Sequence, residues 1–125
     1  MIYYLSQLPP SVNAMYIAKG KHRFKSAEYN LWIMRAMREL KNRPPMQCKR
    51  YGCDIRIPWS KKTSGDIDNR IKGLSDIFVK ARLIPDDRNC LDLRIRYIAE
   101  TRMDAIEVEF TPMEETDCNN ERKET

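Results

Sequence analysis

Five apolar residues, Ile67, Ile71, Leu74, Phe78 and Ala81, recur at spacings of four, three, four and three. An α-helix turns once in about 3.6 residues, so this stripe predicts one buried helical face from near Asp66 to about Arg82. The chain on either side keeps a different period. Between Gln47 and Pro58, Cys53, Ile55 and Ile57 alternate with Asp54 and Arg56. Beyond the helix, Leu91, Leu93, Ile95 and Tyr97 alternate with Asp92, Arg94 and Arg96. Alternation in twos is the pattern of a strand with one face inward. A strand, a helix and a strand therefore follow one another.

The remaining segments extend this order. Ile2 to Leu8 is rich in strand formers and is stopped by Pro9-Pro10. Asn13 to Lys25 reads as a basic, aromatic-containing loop. Ser26 can cap a helix running to about Asn42, with Tyr29, Trp32, Ile33, Ala36, Met37 and Leu40 on its buried face. Pro44-Pro45 ends it. Pro85-Asp86-Asp87 is a turn, and Ala105 to Phe110 a last strand, with Glu100 to Asp104 read as a hairpin connection. The order β-α-β-α-β-β predicts a single-domain α+β fold, a mixed sheet with two helices on one face. A chain of 125 residues supports one modest core. The domain is assigned to residues 1–112, and residues 113–125 read as a polar, disordered tail.

Charge narrows the partners. Residues 1–112 hold 21 basic and 13 acidic side chains, a net of +8, whereas the tail is net −3. Such an excess favours an acidic partner, nucleic acid being the commonest. No apolar run approaches a membrane span and no secretory signal is visible, so the expected location is cytoplasmic and no membrane partner is expected. Cys48, Cys53, Cys90 and Cys118 form no Cys-x-x-Cys pair, and His22 is the sole histidine. A structural zinc site is poorly supported, and four reduced thiols are expected.

Chemistry concentrates between Asp66 and Asp87. Asp66 and Asp68 stand at the predicted helix entrance, Lys72 lies one turn in, and Asp86 and Asp87 follow the helix. Each has an ordinary role available: a cap, a dipole partner, an ion pair or a turn residue. Together they offer hard oxygen ligands for magnesium and a cation for a developing charge. A helix of about 15 residues spans roughly 22 Å, so Asp87 can join Asp68 only if the chain returns. Asp76 continues the polar face, as an accessory group or a solvated one. Ser60, Ser75 and the cysteines have no histidine nearby to activate them. Lys19, Arg23, Lys25, Lys61, Lys62, Arg70 and Arg88 are candidate phosphate contacts, which give salt-dependent, largely sequence-independent binding.

The pattern resembles the RusA-type Holliday junction resolvases of bacteria and phages. Pro9-Pro10-Ser11-x-Asn13-x-x-Tyr16 with Ser26-Ala27-Glu28 is similar to that family's opening signature. Asp66-Ile-Asp68-Asn69-x-x-Lys72 and Ile84-x-Asp86-Asp87 resemble its catalytic segment in residue type and spacing. The resemblance implies magnesium, with manganese as a substitute, held by Asp66, Asp68 and Asp87; Lys72 assists catalysis and Asp86 is an auxiliary acid. It also implies a homodimer cutting opposed strands of a four-way junction. Ser64 and Gly65 stand where the family frequently has arginines, so detailed DNA contacts are not carried over. The alternative expectations are a non-catalytic basic DNA-binding module and a small interaction protein whose carboxylates are caps and turn residues.

Overall fold

The computed structural model describes residues 1–62 and 67–113. Its elements are β1 (Ile2–Leu5), α1 (Val12–Met15), β2 (Tyr16–Lys19), β3 (His22–Lys25), α2 (Ala27–Glu39), β4 (Tyr51–Pro58), α3 (Ile71–Lys80), β5 (Cys90–Ile98) and β6 (Ile106–Pro112). Four strands form a sheet in the order β1-β6-β4-β5. β4 and β5 run parallel, and the other pairings are antiparallel. The mixed α+β architecture is the one expected. Within the expected Asn13–Lys25 loop, however, lie a turn of helix and a separate antiparallel ribbon of β2 and β3.

Both long helices form for the reasons their sequences give. The Ser26 hydroxyl accepts the Tyr29 N–H at 3.1 Å and donates to the Ala14 carbonyl at 2.7 Å, so it caps α2 and ties it to α1. Tyr29, Trp32, Ala36 and Leu40 are buried, while Ile33 and Met37 lie at the margin. In α3 the buried face is Leu74, Ile77 and Phe78, joined by Gly73. A Cβ on Gly73 would sit 2.6 Å from Pro9 Cβ, so its absence lets the Pro9 segment lie against the helix. Tyr3, Tyr51, Phe78 and Phe110 interlock at the centre, with ring centroids 5.1 to 5.8 Å apart. Each such side chain contributes about 1.5–3 kcal/mol by burial.

The other sheet face is charged. Arg56 binds Asp54 at 2.8 Å and Glu109 at 2.9 Å, and Arg96 reaches Asp54 at 3.2 Å. These contacts join β6, β4 and β5 across the open surface. Leu91 and Leu93, expected inward, are 57% and 48% exposed, because β5 is an edge strand that the helices cover only in part.

Three local expectations are corrected. β5 and β6 are not a hairpin: β4 lies between them, so Glu100 to Asp104 passes over the end of β4. That crossing is made with Met103 and Asp104 in left-handed conformation, φ 56° and 55°. The helix read from Asp66 begins as a 3-10 turn at Ile67–Arg70 and becomes α-helical only at Ile71. Cys53 and Cys90 are free, but Cys48 is disulfide-bonded rather than a reduced thiol. Cys118, Asp66 and the tail beyond Met113 lie outside the described residues.

Candidate active site

α3 leaves the C-terminal end of β4 and delivers the chain to the N-terminal end of its parallel neighbour β5. Asp68, in the 3-10 turn, is therefore at one end of this unit, and the Asp86–Asp87 turn is at the other. The ten residues of α3 separate them, a span of about 15 Å. β5 does run back beside β4, but it carries its own residues toward Asp68 and leaves Asp87 behind.

The Asp87 end is the more elaborated. Asp76, Asp86 and Asp87 line one open cavity of about 470 Å³, together with Tyr16 and Lys25 of the ribbon and Lys80. Lys72 pairs with Asp76 at 3.7 Å, not with Asp68 as its spacing equally allowed. On the helix this lysine stands one turn from each aspartate but pairs only with Asp76 among the described residues. Of the two roles its place on the polar face allows, accessory or solvated, the shared cavity favours the first, because Asp76 lies beside Asp86 and Asp87. Its spacing of four from Lys72 was the signal for it.

Asp86 is held firmly. Its carboxylate accepts from the Arg88 side chain at 2.8 and 2.9 Å and from the Arg88 N–H at 3.0 Å. The bidentate guanidinium first, and the backbone N–H second, lower its pKa to about 2. Its carbonyl accepts the Tyr51 hydroxyl at 3.0 Å, which fixes the turn to the core. Burial, followed by nearby Cys90, pushes the Tyr51 hydroxyl well above its ordinary range, so it remains a donor. Asp87 is exposed and begins the 3-10 turn Asp87–Asn89.

A second, more apolar cavity of about 220 Å³ lies between α3 and the sheet, bounded by Asp87, Ser75, Cys53 and Cys90. Burial raises the Cys53 thiol to about 12, and burial also raises Cys90. Neither is poised as a nucleophile.

The candidate phosphate contacts divide into three groups. Lys19, Arg23 and Lys25 lie on the exposed ribbon, where the Arg23 guanidinium covers the Tyr16 ring at 4.9 Å. Lys61 and Lys62 follow β4 at the Asp68 end; Lys62 lies over the exposed Trp59 ring at 4.3 Å. Arg70 and Arg88 are already engaged, with the Pro9 carbonyl at 2.8 Å and with Asp86.

For a divalent cation the donor chemistry is right, since carboxylate oxygens suit magnesium or manganese. Among the described residues of one chain, however, no three His, Cys, Asp or Glu side chains gather closely enough to hold a metal. Asp66 is not among those residues.

Residues 7–111 match the protein-family model described as Endodeoxyribonuclease RusA. A relative from Aquifex aeolicus (strain VF5), described as crossover junction endodeoxyribonuclease RusA, is 28% identical over 114 residues, 89% of this chain and 90% of the relative. The matched range contains both the Asp66–Lys72 segment and the Asp86–Asp87 turn.

Proposed function

The chain belongs to the RusA endodeoxyribonuclease family, and from that premise we propose that it is a magnesium-dependent endonuclease resolving four-way DNA junctions by paired phosphodiester hydrolysis. The observation that carries this reading is the carboxylate-lined cavity at the Asp86–Asp87 turn, set beside a basic ribbon. In this reading Asp66, Asp68 and Asp87 hold magnesium, or manganese in its place. The bound cation would supply an activated water and neutralise charge on the phosphate.

The protein's own groups do the rest. Lys72, exposed and next to Asp76, offers a cation to charge developing at the scissile phosphate. Asp86, kept ionised by Arg88, acts as an auxiliary acid group that fixes the turn and adds negative potential beside Asp87. Lys19, Arg23, Lys25, Lys61 and Lys62 bind phosphates along the approaching strands.

A homodimer completes the arrangement. A two-fold axis can bring the Asp68 end of α3 in one protomer to the Asp87 turn of the other, twice, by symmetry. The carboxylates that one chain holds apart then meet in pairs, and two sites face the two opposed strands of a junction.

In the test, a synthetic four-way junction is incubated with and without magnesium and scored for paired symmetrical nicks. Asp68→Asn is expected to lower cleavage by at least about a hundredfold, the scale of losing a group that acts on the transition state, while junction binding survives. Cleavage by that variant at the parental rate overturns the assignment. The separation of the carboxylates among the described residues of one chain favours a second reading, a basic DNA-binding module without catalysis. Junction binding with no nicking in magnesium or manganese would establish it.

A further inference from the structure

The β2–β3 ribbon has two faces of different character. Its register pairs Tyr16 with Lys25, Ile17 with Phe24, Ala18 with Arg23 and Lys19 with His22. Residues directly opposite, and those two apart on one strand, share a face. Tyr16 meets the ring of buried Tyr29 edge-on at 5.9 Å, carries Arg23 on its own face, and lines the acidic cavity with Lys25. That face anchors the ribbon to α2. The opposite face presents Ile17 and Phe24, 53% and 51% exposed, with His22 beside Phe24 at 6.1 Å.

We propose that the Ile17–Phe24 face is a stacking wedge that packs against bases opened at the branch point of a DNA junction. The inference deepens the proposed function and rests on it. Lys19, Lys21, Arg23 and Lys25 crowd the same ten residues as the apolar pair, so the surface suits a polyanion that also offers flat apolar faces. Nucleic-acid bases are such faces, and aromatic side chains stack on them with little regard to sequence. In continuous duplex those faces are already stacked, and exposing them is costly; at an interrupted stack the cost is least. Apolar wedges inserted at a base step use the same logic. The ribbon therefore discriminates branched from continuous DNA, while its lysines and arginines bind both.

The experiment places 2-aminopurine beside the branch point of an immobile four-way junction, with magnesium withheld so that the full-length protein binds without cutting. Wild-type protein is expected to raise the fluorescence as the base unstacks, and the Ile17→Ala, Phe24→Ala double variant to abolish that rise. Junction affinity of the double variant falls about tenfold, within the range of a lost base–aromatic stack, while duplex affinity stays within about twofold. Lys19→Ala with Lys21→Ala, by contrast, weakens junction and duplex alike and flattens the salt dependence. A rise that persists without Ile17 and Phe24, or junction and duplex affinities that fall together in that variant, overturns the wedge. Failure of the wild type to bind junctions is a different outcome and overturns the function beneath it as well.

Discussion

The Asp86 carboxylate accepts three hydrogen bonds from one residue two positions along, Arg88, and these are the largest influence on its titration. Its folded pKa of about 2 lies below that of an unfolded aspartate. The linked stability is thus fully present above the unfolded value and is lost as pH falls through about 2. Both side chains reach solvent, so the effect on unfolding is small. Arg88→Ala is expected to return Asp86 to the ordinary carboxylate range, followed by carbonyl NMR titration; an unmoved midpoint would refute the assigned cause. This contact was within reach of the sequence, since its partners are neighbours in a Pro-Asp-Asp-Arg turn. The Arg70 contact was not. Its acceptor, the Pro9 carbonyl, is 61 positions away, and only the fold brings it near.

Among elements, α3 shows what periodicity conveys and where it stops. The apolar stripe marks the buried face because packing against a sheet demands one side of a helix. It does not mark the start, since a 3-10 turn at Ile67–Arg70 satisfies the same spacing for its few residues. Nor does it account for Gly73, whose role is set by Pro9 and Met15 at 2.6 and 2.8 Å from the missing Cβ. Gly73→Ala is expected to destabilise the protein by about 1–3 kcal/mol through overpacking, read from urea or thermal unfolding. Gly52→Ala, whose nearest neighbour is the flexible Met113 side chain at 3.4 Å, serves as the tolerant control. The β2–β3 ribbon leaves no periodic mark in the sequence for a related reason. Its strands are four residues long and exposed nearly throughout, so burial imprints no alternation on them. Gly20, at φ 66° between Lys19 and Lys21, was the available turn signal.

For the whole molecule, the residue types of the candidate site were legible and its geometry was not. Aspartates flanking a helix announce oxygen ligands, but whether they meet depends on which end of the sheet each occupies. Here the parallel pairing of β4 with β5 puts Asp68 and Asp87 at opposite ends. If dimerisation joins them, Asp68→Asn and Asp87→Asn should each be inactive as homodimers. A mixed dimer of the two would keep one intact site and nick junctions at about half the wild-type rate per site pair, because one of two symmetric sites survives. Differently tagged chains, co-expressed and purified through both tags, provide the measurement. A silent mixed dimer would show that each site lies within one chain.

The strand order also has a consequence for how the chain is made. β1 is synthesised long before β6, its neighbour in the sheet among the described residues. Ile2 is paired with Glu109, so that edge is left open until nearly the last described residue has been synthesised. At translation speeds of about 5–20 residues per second, the delay is on the order of ten seconds. For that time a Tyr-Tyr-Leu strand has no lawful partner, and the ribosome tunnel and chaperones, rather than the sheet, must keep it from finding a wrong one.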